Sequence, residues 1–531
     1  MTARRRKWWG WGYEDERLPE SFLARIAPLL QAGLGVTALE PRYAPRLDKI
    51  RLRAPRVALP DRLAPWCTDE TVERAGHCYG KSYRDVVRAI RRELDNPPDY
   101  VAYPRDESDI VELMTHCEAE GIAVVPYGGG SSVVGGVEPT TSERYRGVIT
   151  VDLRRLDRVV EVDRTSQSAR VQAGIFGPAL EAGLKPHGLT LRHQPQSWEF
   201  STLGGWIATR SAGHFPTIQT HIDDFVESVR VVTPRGLLQT VRVPYSGAGP
   251  NPDRLVLGSE GVLGIITEAW IRVQAVPTFR ASATVLFREI AEGIQAVRAI
   301  SQSGLFPSSC RLISPFEALT MGLGDGAQTA LMLAFESHDH PVDASLAHGL
   351  ELCAQANGRW DAGRVATGTG ADRWRAAFLQ APYLRDHLAL CGLVVETFET
   401  AVTWDRFETL HRMVLAATES AIAAECGKGF VFWRLTHAYP DGPAVYYTVV
   451  ALGRKDDEVE QWTRIKAAVS DAIVAGGGTI THHHAVGRDH RPWFAGERGA
   501  LFTSVLASAK RTVDPGWILN PGVLIPLEDG G

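Results

Sequence analysis

The run Val124-Val125-Pro126-Tyr127-Gly128-Gly129-Gly130-Ser131-Ser132 constrains the fold of this chain more than any other stretch. The apolar segment from Gly121 to Val125 reads as a short buried strand, and Pro126, which has no N–H to give, ends it. Three glycines follow. They can take positive φ and let backbone N–H groups approach an anion without Cβ contact, and Ser131 and Ser132 add hydroxyl donors. The segment suits a diphosphate. No lysine follows the last glycine, so it is not a P-loop. Gly135, Gly136 and Pro139 leave little room for the helix that a dinucleotide-binding βαβ turn needs directly after its glycines.

A glycine-rich turn alone is more often a plain surface turn; two further blocks give this one weight. The first is Gln196-Ser197-Trp198-Glu199-Phe200-Ser201-Thr202-Leu203-Gly204-Gly205, running on to Thr209-Arg210-Ser211-Ala212-Gly213. Ser201 or Thr202 can cap a helix whose first turn, carrying Gly204 and Gly205, accepts close approach of a ligand. The second is Gly258-Ser259-Glu260-Gly261-Val262-Leu263-Gly264-Ile265-Ile266, leading into a strand from Ala269 to Val273. Three such elements in one region imply a long, bent ligand.

The three blocks resemble the flavin-binding domain of the vanillyl-alcohol oxidase superfamily. Within it, the middle block with Asp223, Asp224 and Val231-Val232-Thr233-Pro234-Arg235-Gly236 is most similar to the alkyldihydroxyacetonephosphate synthase (alkylglycerone-phosphate synthase) family. The resemblance implies an α+β fold with a two-subdomain PCMH-type FAD-binding domain. It places the FAD diphosphate on Pro126, Tyr127, Gly128, Gly129, Gly130, Ser131 and Ser132. Further contacts are implied from Gln196 to Thr202, from Thr209, Arg210, Ser211 and Ala212, and from Glu260, Gly261, Val262, Leu263, Gly264, Ile265 and Ile266. Several relatives attach flavin covalently through a histidine just before the position of Gly128. Tyr127 stands there instead, so FAD is expected to be held non-covalently.

At 531 residues the chain exceeds one ordinary core. Its order divides it into an N-terminal helical region (1–98), the flavin domain (99–275), an α+β cap domain (276–475) and a C-terminal segment (476–531) returning to the flavin domain. In the cap, strands and helices alternate as suits an antiparallel sheet covered on one side. The helix Glu107 to Glu120 should turn Ile110, Val111, Leu113, Met114 and Cys117 inward, and Glu289 to Ser303 should do so with Ile290, Ile294, Val297 and Ile300. The helices before Pro98 are expected to lie over the flavin domain.

With 57 basic and 62 acidic residues and no basic block beyond the N-terminus, nucleic acid is not expected as a partner. Seven scattered cysteines without a Cys-x-x-Cys pair fit a reducing, cytoplasmic setting. No apolar run is long enough to cross a bilayer, and the ending Glu528-Asp529-Gly530-Gly531 carries no peroxisomal address. Arg4-Arg5-Arg6-Lys7-Trp8-Trp9-Gly10-Trp11 has the composition of a membrane-surface foot, which would put the protein at the inner face of a membrane. Because glycines break the segment, a strap packed on the protein is the favoured reading. Relatives imply a homodimer.

Chemistry concentrates in Thr481-His482-His483-His484-Ala485. On an extended segment adjacent side chains alternate, so at most His482 and His484 share a face. No Cys, Asp or Glu stands nearby at familiar ligand spacing, so no metal is expected. The histidines read as hydrogen-bond donors or proton carriers. Tyr446 and Tyr447 are neighbours on a strand, and spacing chooses neither. The family pattern through Thr436-His437-Ala438-Tyr439 places the catalytic tyrosine at Tyr446. It also matches Arg311 and Arg385 to residues needed for activity, the second contacting the substrate, whose phosphate a guanidinium is shaped to grip, and Thr397 to a small hydroxyl residue of these synthases.

The resemblance thus implies exchange of the acyl group of acyl-dihydroxyacetone phosphate for a fatty alcohol through a flavin N5 adduct. Tyr446 would act as acid/base, with His482, His483 and His484 beside it. The alternative on the same fold is an FAD-dependent 2-hydroxy acid dehydrogenase or oxidase, in which Arg311 or Arg385 clamps a carboxylate. A non-catalytic flavin carrier is disfavoured by the grouping of Tyr, His and Arg.

Overall fold

The computed structural model describes residues 4–527 apart from 216, 218, 322, 324 and 362–368, so the terminal residues 528–531 lie outside the described residues. Two sheets flank the glycine loop. In the first, Ile122–Tyr127 runs parallel to Gly147–Asp152, which runs parallel to Tyr100–Ala102, and Cys67–Thr68 adds a short antiparallel edge. Ile122 to Val125 are buried, as parallel strands covered on both faces require. One cover is the helix Glu107–Glu120, capped by the Asp106 carboxylate and ended by Gly121 at φ 62°. Ile110, Leu113, Met114 and Cys117 point inward, but Val111 is 49% exposed because it stands 100° round the helix from Ile110. Pro126 does not end its strand, which continues to Tyr127. The strand is at the sheet's edge, where a missing N–H costs no ladder bond.

The second sheet is antiparallel, in the order Val159–Asp163, Ser168–Gln172, Ile265–Arg272, Val226–Thr233, Gly236–Gln239. Its third strand starts at Ile265 rather than Ala269, because Ile265 and Ile266 already pair with Val232 and Val231. The chain's end comes back to this half of the molecule. The Val124 N–H donates to the Ile518 carbonyl and the Asn520 N–H to that of Val124, each at 2.8 Å.

The cap is a six-stranded antiparallel sheet in the order Phe279–Phe287, Thr329–Ser337, Ser309–Ile313, Gly429–Ala438, Pro443–Leu452, Leu393–Ala401. Strand side chains alternate between faces. Leu312, Leu435, Val445, Tyr447 and Phe398 enter the core with Phe407, Leu410 and Val414 of the helix Trp404–Cys426 and Ile465, Val469 and Ile473 of Glu458–Ala475. Ile290, expected inward, opens its helix and is 39% exposed.

Of the N-terminal helices, Thr71–Gly76 lies against the flavin-domain strand Tyr100–Ala102, as expected, but two others pack on the cap instead. The stripe Ile26, Leu30 and Leu34 of Glu20–Leu34 packs on the strand Gly429–Ala438, and Tyr83–Arg91 packs on the cap helices Thr369–Leu390 and Glu458–Ala475. The cap holds the apolar surface those stripes need. Trp8 and Trp11 are buried in the protein, and Trp11 meets Phe200 edge-on at 5.4 Å.

Asp99 ties this brace to the flavin domain. Its fully buried carboxylate accepts from Arg53, from the Arg56 side chain and N–H, and from the Val148 N–H. An Asp99→Ala protein is expected to lose about 3 kcal/mol of unfolding free energy, because two guanidinium groups and two N–H groups lose one shared partner. Urea denaturation checks this; an unchanged midpoint would remove Asp99 from the brace.

Candidate active site

The three glycine blocks close on one another. A Cβ at Gly128 would lie 2.2 Å from Thr202 Oγ1, one at Gly129 1.8 Å from the Phe200 carbonyl oxygen, and one at Gly261 2.9 Å from Pro126 Cγ. Gly130 and Gly261 take φ of 67° and 77°, which glycine allows at little cost. Among the described residues no hydrogen bond uses the N–H of Gly128, Gly129, Gly130 or Ser131. These backbone donors, half-buried except at Gly130, are free for an acceptor, and a diphosphate supplies several. Thr202, not Ser201, caps the helix Leu203–Thr209 by accepting from the Gly205 N–H. These residues fit FAD.

Several side chains of the cradle serve its architecture. Ser132 Oγ accepts from the Gly136 N–H at 2.9 Å, Ser201 bonds Ser197 and Trp206, and Thr209 bonds the Gly205 carbonyl. The Arg210 guanidinium is committed to Asp223 and Ser211 to His193. Val262, Leu263, Ile265 and Ile266 are core residues. Any ligand contact they make runs through the backbone. Gln196 donates to the Phe378 carbonyl at 3.0 Å and so links cradle to cap.

Opposite the helices, the cap sheet presents polar side chains. Glu399 pairs with Tyr446 and Tyr446 with Arg434 in direct register, so all three project from the same face, with Thr397 two residues before Glu399. Tyr447 faces the other way, its hydroxyl 2.8 Å from His411 Nδ1 in the core. The Arg434 guanidinium sits 4.4 Å over the Tyr446 ring and donates to Glu317. Burial pushes the Tyr446 hydroxyl up, opposed by Arg434 and by a hydrogen bond with Thr397.

The histidines do not alternate. Residues 482–484 form a bend around Glu399, whose carboxylate accepts the N–H of His483 at 3.1 Å and of His484 at 2.9 Å, that of His482, and the Thr481 hydroxyl. Three successive N–H groups reach one carboxylate only if the chain curls. The rings of His483 and His484 consequently gather at Tyr446, at 6.1 and 5.4 Å. Glu399 and His437 also give the run the acidic and imidazole neighbours that its local sequence lacks. The sets His437, His482, His483 and Glu399, His483, His484 each bring ligand atoms within 4.8 Å. Val486 and Gly487, just beyond, donate to Glu260 of the third glycine block, so the loop bridges the lobes.

Two expected cations are placed differently. Arg311 is 2% exposed and donates to His214 Nδ1 at 3.0 Å and to the His214 carbonyl. Arg385 is held by Asp386 at 2.8 Å and by the Lys81 carbonyl, and Asp386 accepts from the Trp11 N–H of the N-terminal strap. Lys81 went unnoticed in the sequence. It follows the strand-poor segment Ala75–Gly80, its N–H donates to the Ser132 carbonyl, and burial pulls its ammonium down to about 8. Glu399 and Arg434 were likewise missed, since only the sheet register brings them to Tyr446, and so was His437, which packs on His482 and His483.

Residues 98–242 match the family model described as FAD binding domain, and residues 276–524 match FAD linked oxidases, C-terminal domain. Cradle and cap together therefore make this chain an FAD-dependent enzyme of the PCMH type. A relative from Dictyostelium discoideum, an alkyldihydroxyacetonephosphate synthase, is 31% identical over 88% of this chain and 79% of its own. The chain belongs to the alkyldihydroxyacetonephosphate synthase family. A solved alkyldihydroxyacetonephosphate synthase structure superposes with a TM-score of 0.83 at 28% identity, covering 97% of this chain and 98% of that one. A glycolate oxidase subunit of Bacillus subtilis is more distant, at 26% identity over 81% of this chain and 89% of its own.

Burial keeps the imidazoles neutral: it pulls His483 down to about 3 and His484 to about 4, and likewise His193 beside the cradle's Ser211 to about 3 and His411 in the cap core to about 4. Their unfolded value is 6.5. Below it the unfolded chain binds protons that the folded one refuses, so stability is intact above that pH and falls as pH drops towards the folded values. Each such histidine contributes about 1.4 kcal/mol per pH unit. Unfolding free energies at successive pH values should therefore decline below neutrality, and less steeply in His411→Gln. Equal slopes for both proteins would contradict this assignment.

Proposed function

We propose that the protein exchanges the acyl group of an acylated dihydroxyacetone phosphate for a fatty alcohol, a step of ether lipid synthesis without net oxidation. The observation that carries the reading is the gathering of Tyr446, His483 and His484 around Glu399 on the cap face, joined through Val486 and Glu260 to the FAD cradle. In the exchange the ester C–O bond at the dihydroxyacetone carbon breaks and the fatty acid leaves with its oxygen. The alcohol oxygen then bonds to that carbon and gives up its proton. Bound FAD supplies the nucleophile in this chemistry.

The chain's own residues manage protons and charge. Tyr446 is a protonated hydroxyl at neutral pH, and the adjacent Arg434 lowers the cost of its phenolate, so it can give and retake a proton at the substrate carbon. Neutral His483 and His484 can accept the alcohol's proton and hold the oxygen substituents. Arg385 and Lys81 offer cations to the phosphate, Arg385 through the N–H groups that its bonds to Asp386 and the Lys81 carbonyl leave over. Arg311 supplies a further buried positive charge beside His437.

A homodimer and a cytoplasmic location, with peripheral contact to the inner face of a membrane, belong to the same proposal, supported by family likeness and by the lipid-like substrate. Sedimentation with and without anionic vesicles tests the dimer and the membrane contact; a monomer that ignores vesicles would defeat those two.

The reaction itself is tested by mixing flavin-loaded protein with an acylated dihydroxyacetone phosphate and a long-chain alcohol, and separately, without oxygen, with D-2-hydroxy acids. Ether product is expected from the first mixture. Flavin bleaching in the second without ether in the first would establish the hydroxy-acid reading instead. Tyr446→Phe should lower turnover by about 10²- to 10⁴-fold with FAD retained; near-normal turnover would take Tyr446 out of the mechanism.

A further inference from the structure

His221 has no part in the function proposed above, yet it touches the histidine bend. It follows the flavin-side block Thr209–Ala212, bridged to Ala212. Its Nδ1 lies 3.1 Å from the Arg210 carbonyl oxygen and its Nε2 3.2 Å from Nε2 of His482. Nδ1 of His482 in turn lies 3.0 Å from Nδ1 of His483. Three imidazoles thus stand in series, and one end of the series abuts a group that can only accept.

That end sets the rest. A carbonyl oxygen has no proton to give, so neutral His221 carries its proton on Nδ1 and shows a lone pair at Nε2. Two lone pairs facing each other would repel, so His482 carries its proton on Nε2 and leaves Nδ1 bare. The contact from His482 Nδ1 to His483 Nδ1 then needs a proton from His483. Nε2 of His483 is left without one.

Glu399 supports the same count independently. Its carboxylate oxygens lie 3.8 Å from Nδ1 of His483 and 3.8 Å from Nδ1 of His484, which favours a proton on each of those atoms. Burial holds His221, His482, His483 and His484 below their ordinary values, so the neutral forms that the count requires are the ones present.

One contact could reverse the order. The Tyr439 hydroxyl is 2.8 Å from Nε2 of His482. If it donated there, His482 would carry its proton on Nδ1, His483 would carry its proton on Nε2, and the lone pairs of His221 and His482 would meet. The Glu399 carboxylate would then face a lone pair as well. With Tyr439 as acceptor, the His482 N–H is shared between Tyr439 and His221 and no like pair meets.

We infer that His221, anchored on the Arg210 carbonyl, is a positioning residue that acts through His482 to fix the tautomer of His483, leaving Nε2 of His483 as the open proton acceptor. The use made of that acceptor rests on the proposed function; the tautomer does not.

The test reads both. Flavin-loaded protein labelled with ¹⁵N-histidine is examined by long-range ¹H–¹⁵N correlation at neutral pH, with His483 assigned by comparison with His483→Gln. The expected result is a protonated Nδ1 and a bare, pyridine-like Nε2 for His483. In His221→Leu the His483 pattern should shift towards a protonated Nε2, with kcat lower on the order of 100-fold, the low end of what a placed acid–base group contributes, and KM little changed. His221→Gln, whose amide oxygen can accept from the His482 N–H, should restore much of both. A wild-type His483 protonated on Nε2 overturns the inference even if no variant folds, and so does a His221→Leu protein with unmoved His483 resonances. The expected tautomer in a protein that makes no ether would count against the reaction proposed and leave the tautomer assignment standing.

Discussion

The site depends on one buried carboxylate. Glu399 is enclosed, and burial opposes its charge, yet its carboxylate accepts the Thr481 hydroxyl and three successive backbone N–H groups. An ionised acid in such a place must be met by donors. The donors at hand are the consecutive N–H groups of His482, His483 and His484. The bend of that loop, the meeting of the imidazoles and their approach to Tyr446 all follow from satisfying Glu399.

The cradle was legible because its chemistry is local. Glycines that must admit a diphosphate stand side by side in the sequence, and so does the run that caps the Leu203–Thr209 helix, although the choice of Thr202 over Ser201 needed coordinates. Periodicity also found the cap's alternating strands and helices. It failed at Val111 and Ile290, apolar residues at the edge or start of a helix stripe, and at Pro126, where only the strand's edge position shows that a missing N–H is harmless.

The bend could not be read in this way. Its partner, Glu399, lies on another strand 83 residues from His482, and nothing near the histidines announces a carboxylate. Adjacent residues alternate only on an extended chain, and the need to pair Glu399 curls this one. Arg434 and Lys81 were hidden for the same reason, since each reaches the site through register or loop packing. Tyr446 differed from Tyr447 in sequence only by family pattern, whereas the sheet separates them physically into a polar face and an apolar one.

The C-terminal segment stitches the molecule shut. After leaving Glu399 of the cap it passes Glu260 of the cradle and lies down beside Val124, where Ile518 and Asn520 hydrogen-bond the very strand that leads into the glycine turn. A clamshell motion of the lobes would have to tear buried charge–amide contacts at several points along this seam. Long-chain reactants therefore have to thread between fixed walls, admitted by shifts of side chains and short loops while the frame around the flavin stays closed.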